Sequence, residues 1–187
     1  LEGIFFCSLY FFKTFSASLN VVLSKYENIY VISFGKSADS MAKTVNSIIN
    51  VKGGIIVMPK TSKPVIRNKK FKIINSNHPT PDSSSLHAAK TVLAFLQSRG
   101  EKDFVIFLVS GGASSLLALP NGISLHEKIS LTKQLLISGA TINEINCVRK
   151  HLSKIKGGKL VENMPCEGVS LVLSDVLGND LSSIASD

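Results

Sequence analysis

From position 29 onward the chain alternates between two hydrophobic rhythms. Short runs of mostly consecutive apolar residues at 29–34, 54–58, 71–75, 104–109 and 169–173, bounded by Gly, Pro, Asn or Asp, predict buried strands. Between them lie stretches with apolar residues at helical spacing, at about 36–50, 83–97, 125–138 and 142–155. Asp82, closing the proline turn HPTPD, is the predicted N-cap of the second helix, and Gly139 the C-cap of the third. The fourth carries Ile142, Ile145, Val148, Leu152 and Ile155 on one face and is expected to run to Gly157 and Gly158. Strands alternating with helices predict an α/β fold with a doubly wound, mostly parallel sheet.

The first 28 residues stand apart from this alternation. LEGIFFCSLYFFKTFSASLN is strongly hydrophobic but has Lys13 in its middle, and the apolar run at 3–12 is shorter than the ~20 residues a bilayer requires. It also lacks the charged leader of a signal peptide, so a packed or amphipathic helix without stable membrane insertion is expected, with a targeting segment as the alternative. The basic stretch KTSKPVIRNKKFK, 60–72, reads as a solvated loop and strand edge.

The chemistry concentrates in DFVIFLVSGGASSLLALP, 103–120, where a buried strand breaks into two glycines and two serines. Gly111 and Gly112 permit φ > 0 and close approach of a ligand to the backbone. Ser114 and Ser115 offer hydroxyls and an N-cap for a helix beginning near Leu116, whose free N–H groups would attract an anion. An ordinary strand-to-helix turn is the alternative. The formal charge of +8 suits a small anionic ligand, since the basic residues are dispersed and stacking aromatics are scarce beyond the first fifteen positions, so nucleic acid is not expected. Three separated cysteines without a CxxC, and no clustered histidine, point to reduced thiols and away from zinc.

Two nucleotide motifs fail at the first strand. Gly35, Lys36 and Ser37 imitate the end of a P-loop, but Tyr30 stands where its first glycine belongs. The dinucleotide pattern GxGxxG fails as well, because Gly35 is the only glycine in FGKSAD, which disfavours a nicotinamide oxidoreductase. What remains is Lys36 at a strand's carboxyl end, where ligands of open α/β sheets bind.

Five segments in one order carry a family resemblance: FGKSADSMA, NHPTPDSSSLHAA, LVSGGASSLLALP, SGATINEINCVRKHLSKIKGGKL and LVLSDVLGNDLSSIAS. Over 29–187 the chain resembles the glycerate kinase family of the glycerate 2-kinase type, in which a Rossmann-like amino-terminal domain is paired with a MOFRL domain. The resemblance implies phosphorylation of D-glycerate to 2-phosphoglycerate, with ATP and Mg²⁺ as cofactors, in a cleft between the two domains. It implies catalytic roles for Lys36, Asp175 and Asp180, with the two aspartates also holding the metal or orienting the glycerate hydroxyl. Ser110, Gly111, Gly112 and Ser114 would cradle a phosphate or carboxylate, and Arg149 and Lys150 would bind anionic oxygens unless they form a solvated helix face. His78 and Asp82 match as well, with a locked turn as their alternative role. Asn143, Glu144 and Asn146 are equally suited to capping or bracing, and His87, His126 and His151 read as ordinary helix or surface positions.

Three departures bear on the site. Ser37 replaces an alanine, Ala113 replaces the third glycine of the loop, and Asn179 replaces the first aspartate of an acidic pair. Family members continue beyond the equivalent of Asp187, so the chain is expected to cover about half of such an enzyme, without the MOFRL domain and with little or no activity alone. A catalytically inactive α/β domain binding a small anion or nucleotide is the rival reading, and a reductase acting on hydroxypyruvate, a label attached to this family, is a second. The expected partners are glycerate and ATP, the expected compartment is the cytoplasm with the mitochondrion as alternative, and a homo-oligomer is left open.

Overall fold

The computed structural model describes residues 4–6 and 23–173. Its strands are β1 (Ile4–Phe6), β2 (Asn28–Phe34), β3 (Gly53–Pro59), β4 (Phe71–Ser76), β5 (Asp103–Ser110) and β6 (Glu167–Leu173). Its helices are α1 (Ala38–Ile48), α2 (Ser83–Gln97), α3 (Ala113–Leu116), α4 (Leu125–Ile137) and α5 (Ile142–His151). All six strands join one sheet in the order β1-β6-β5-β2-β3-β4, and every pairing is parallel.

The apolar runs become strands because both faces of the sheet are covered. On one face Val31, Ile56, Ile106 and Leu108 pack with Ala42 and Val45 of α1. On the other Ile32, Ile55, Val57 and Phe107 pack with Ala88, Val92 and Leu96 of α2. Every residue of β3 is buried, which is why that strand reads as a continuous apolar run instead of an alternating one. The doubly wound α/β architecture expected from the sequence is the one present.

The strand order sets the location of the site. From β2 the chain moves outward through β3 to the edge strand β4, then returns through α2 to place β5 on the other side of β2. The direction of winding therefore reverses between β2 and β5, and at their carboxyl ends the following loops part to leave a crevice. Phe34 pairs with Val109 across this junction, so Gly35 to Ser37 and Gly111 to Gly112 emerge side by side.

Three expectations need correction. Residues 4–6 form β1, adding to the edge of β6, where a helix was expected over 1–28; open ladder groups on β6 favour a short aromatic segment in extended form. The remainder of that segment up to residue 22 lies outside the described residues. Helix α3 starts at Ala113, earlier than expected, and lasts one turn; Gly112 occupies the N-cap position and Ser114 and Ser115 are inside the helix.

The third correction concerns α5, which stops at His151 instead of reaching Ile155. Ser153 intercepts it. Its fully buried hydroxyl accepts from the N–H groups of Ile155 at 3.3 Å and Lys156 at 3.2 Å, an alternative to helical bonding. Lys154 N then donates to Leu119 O at 2.9 Å and Asn121 N to Leu152 O at 3.1 Å, tying residues 152–154 as a strap against 119–121. Among the described residues no helix is long and apolar enough to cross a membrane.

Removal of the Ser153 hydroxyl leaves two buried N–H donors without their acceptor. Ser153→Ala is expected to destabilise the fold by about 1–3 kcal/mol, measured as a shift of the urea midpoint. An unchanged midpoint would mean that the strap is held by its backbone bonds alone.

Candidate functional site

The crest of the sheet is assembled from loops that brace one another. Ser33, buried on β2, donates its hydroxyl to Ala38 O at 2.7 Å and fixes the start of α1. Ser110 ends β5 and accepts at its Oγ from Ser37 N at 3.0 Å. Lys36 N donates to Gly111 O at 2.9 Å. The two loops meet so closely that a Cβ on Gly35 would lie 2.1 Å from Ser110 Oγ and 2.6 Å from its carbonyl oxygen, so only glycine fits there. Ser110, expected among the ligand contacts, is 5% exposed and serves as a brace between loops.

Gly112 is the residue around which Lys36 and His78 gather. It adopts φ +85°, the left-handed region that suits glycine. A Cβ there would lie 2.8 Å from His78 Cδ2, 2.9 Å from His78 Nε2 and 3.4 Å from Lys36 Cγ. His78 and Lys36 thus flank one backbone turn, with the Lys36 side chain exposed at the crest. Burial, and then the neighbouring Lys36 charge, push the His78 imidazole below its ordinary pKa, so the ring is held neutral near pH 7. Ala113 does not disturb the loop: it is the first residue of α3, and helical backbone accepts a Cβ without strain.

A second group of cations meets at Ser114. Its Oγ accepts from Arg149 Nη2 and from Lys156 Nζ, the latter at 2.9 Å. Arg149 also donates from Nη1 to Asn146 Oδ1 at 3.3 Å, which orients it from within α5. With both oxygen lone pairs engaged, the Ser114 hydroxyl has its proton left to offer, as an oriented donor toward an anion. The anion attraction expected from a helix start is replaced here by side-chain charge, because a one-turn helix carries little dipole.

Lys156 is the residue the sequence reading passed over. It is only 2% exposed, and a lysine at that depth must be paired. Its signal lies in KIKGGKL, a lysine beside a core isoleucine, but its position depends on the early end of α5 and the strap that follows. Lys150, expected beside Arg149 in binding anions, runs its stem along Gly157, whose Cβ would sit 3.6 Å from Lys150 Cγ.

Asp82 is committed to structure. It caps α2 by accepting from Ser84 N at 2.8 Å, within a capping box completed by Ser85, and pairs with Lys60 at 2.6 Å. The bonds from Lys60 and Ser84 hold its carboxyl at about 2. Glu144 likewise caps α5 through Thr141, and its hydrogen bonds to Thr141 lower its pKa. Asp175 and Asp180 lie outside the described residues; β6 ends at Leu173, which pairs with Ser110 at the crest. Among the described residues no cluster of three His, Cys, Asp or Glu could hold a metal ion.

Comparison with known proteins places most of the chain in one family. Residues 11–187 match the family described as "Domain of unknown function (DUF4147)". A "Glycerate 2-kinase" of Pyrococcus horikoshii is 44% identical over 159 residues, covering 84% of this chain and 36% of that protein. A protein of Agrobacterium vitis, provisionally named a hydroxypyruvate reductase, is 41% identical over 161 residues, covering 83% of this chain and 36% of its own length. The crystal structure of a glycerate kinase from Thermotoga maritima superposes with a TM-score of 0.81 at 38% identity, over 91% of this chain and 42% of that one. The chain spans well under half the length of these relatives, a smaller share than the half expected.

Loss of the Lys36 charge removes one of the two causes that depress His78. In Lys36→Ala the His78 pKa, followed by imidazole proton NMR, is expected to rise toward its ordinary value of 6.5. Because the folded value is the lower one, His78 contributes stability that is full above 6.5 and falls as pH drops toward the folded pKa. An unmoved titration would separate the two side chains. Gly112→Ala, strained at its φ and crowding His78, is expected to cost about 1–2 kcal/mol or more by urea unfolding.

Proposed function

The chain belongs to the DUF4147 family, and on that premise we propose that the full-length protein carrying it is an ATP-dependent kinase that phosphorylates D-glycerate to 2-phosphoglycerate. The observation that supports this most directly is the convergence of Lys36, His78 and Gly112 at the winding reversal between β2 and β5. Phosphoryl transfer asks a protein mainly for position and charge neutralisation. Lys36 supplies a mobile positive charge for the transferring phosphoryl group or the substrate carboxylate. Gly112 leaves room for the His78 ring and the Lys36 stem to close on the backbone turn. Ser114 offers its proton, and Arg149 and Lys156 add positive charge behind it. A neutral His78 leaves the Lys36 charge uncontested.

In the reaction a glycerate hydroxyl oxygen bonds to the γ-phosphorus, the bond to the bridging oxygen breaks, and ADP departs. The hydroxyl proton passes to a carboxylate, for which Asp175 and Asp180 are the candidates. The same two aspartates are the candidates to hold Mg²⁺, which when bound to ATP neutralises phosphate charge. With Asp82 committed to its cap and to Lys60, carboxylate ligands for a metal would have to come from beyond the described residues. The residual activity of this chain without the rest of its parent is expected to be low, because transfer needs both reactants enclosed. A reductase reading, raised by the Agrobacterium relative's name, lacks support at β2, where FGKSAD carries one glycine in place of GxGxxG.

Incubation of the full-length protein with Mg-ATP and D-glycerate should yield 2-phosphoglycerate by phosphorus NMR. Lys36→Ala should lower kcat/KM on the order of a hundredfold, as expected for loss of a group that stabilises transition-state charge. Lys156→Ala should lower it by about tenfold or more. Absence of transfer in the wild-type protein, or NADH-dependent reduction of hydroxypyruvate in its place, would overturn the kinase reading.

A further inference from the structure

At the end of the sheet opposite the crest, the first residues of β3 and β4, Tyr30 of β2 and the last turn of α2 enclose an open cavity of about 560 Å³. Five cationic side chains line it, Lys52, Lys69, Lys70, Lys72 and Arg99, and no carboxylate does. Strands of seven residues at ~3.3 Å each separate it from the Lys36 loop by about 20 Å, so it is not part of the kinase site.

Three of the five cations are held in place. Lys52 donates to Asn28 Oδ1 at 2.8 Å and Lys70 to Val51 O at 3.1 Å. Arg99 lies 4.2 Å from the centre of the Tyr30 ring and 4.1 Å from that of Phe95, with Nε donating to Phe95 O at 3.0 Å. That last bond also covers a carbonyl at the negative end of α2, which would otherwise repel an anion. Of the acids near the lining in sequence, Glu27 pairs with Lys102 at 2.6 Å, Glu101 is exposed, and Asp103 is buried and already accepts from Gly100 N at 2.9 Å and Asn28 Nδ2 at 2.7 Å. Lys69 and Lys72 have neither a side-chain hydrogen bond nor an ion pair among the described residues.

Lysines on the edge strand β4 have a plain use, since charge on an open edge discourages pairing with other chains. That accounts for Lys70 and Lys72. It does not account for Lys52, which leads into the interior strand β3, or for Arg99 at the helix end, or for their facing one concavity. The volume falls within the range of small-molecule sites, and an anion there would meet positive charge with no carboxylate in the lining, the buried Asp103 behind it acting on Arg99 and Lys52 alone among these cations. Both rings are already engaged by Arg99, which leaves charge as the means of recognition.

We propose that this basal cavity is a second binding site, for a compact polyanion of the diphosphate or phosphate-ester class. Lys69 and Lys72 close on the ligand, while Arg99, Lys52 and Lys70 provide a fixed positive floor. The proposal is independent of the kinase reading.

The test uses the full-length protein in its Lys36→Ala form, to weaken binding at the crest, titrated with inorganic pyrophosphate and followed by amide NMR. Saturable shifts are expected at Gly53, Gly54, Phe71 and Arg99. Lys69→Ala with Lys72→Ala, both at solvent-facing positions, should weaken that binding by about tenfold or more, as loss of two charge-assisted contacts implies. Crest amides that keep the positions they have in the Lys36→Ala parent would show that the added double substitution leaves the protein folded, and Lys69→Gln with Lys72→Gln provides a milder pair. No basal shifts with millimolar pyrophosphate, or shifts unaltered in both variants, would overturn the site and leave the lysines as edge guards. Citrate binding as tightly as pyrophosphate would overturn the phosphate assignment. Either failure would leave phosphotransfer activity, measured separately in the protein with Lys36 intact, untouched.

Discussion

The pairing of β2 with β5 is the contact on which the rest of the site depends. Both strands are parallel and buried, and their register sets Phe34 beside Val109. Once that register is fixed, the loops that follow have to leave the sheet together and sort out their own contacts. They do so through Ser110, whose hydroxyl serves the backbone of the other loop, and through Gly35, which admits no side chain in the space between them. A slip of one residue would exchange the two faces of β5 and move Ser110 away from Ser37. The apolar packing of α1 and α2 on opposite faces makes such a slip costly, so the core protects the site geometry at a distance.

Positive charge at the crest is divided between an exposed member and an enclosed pair. Lys36 is exposed and adaptable, whereas Arg149 and Lys156 are directed at the single oxygen of Ser114. The division suits a reaction in which one anionic group arrives and another moves. Cations fixed in advance require no reorganisation as charge develops, and a flexible lysine can follow it. At the base of the same sheet a different set of cations surrounds a concavity, with Arg99 fixed by two rings and a carbonyl. The two ends of the sheet are thus both positive, but by different constructions.

Much of this was legible in the sequence wherever local chemistry decided the outcome. The apolar runs were found to within about two residues, and helix Ser83–Gln97 falls where Asp82 predicted it, because a capping carboxylate is a strong local signal. Gly139 stands just past the end of α4, as expected of a C-cap. What could not be read was decided by partners distant in the chain. Residues 4–6 are extended because β6 lies beside them. Helix α5 ends early because the backbone at 119–121 is available to residues 152–154, and its apolar periodicity continues past the break. Lys156 escaped notice for the same reason, since its neighbour Ser114 is supplied by another loop. Asp39 was likewise silent in sequence: it is 5% exposed, and its carboxylate accepts from the backbone N–H groups of Val65 and Ile66, anchoring the basic 60–72 stretch to α1.

The strap at 152–154 has a dynamic consequence. It is bonded to 119–121, which follow α3 directly, and it carries Lys156 back to Ser114 inside α3. The glycine loop, the one-turn helix and the strap therefore form a closed circuit of contacts in which no member can open without releasing the others. Such a circuit is expected to exchange its amide protons as one cooperative unit, so that the opening of the glycine loop is tied to the Ser153 hydroxyl about forty residues further along the chain.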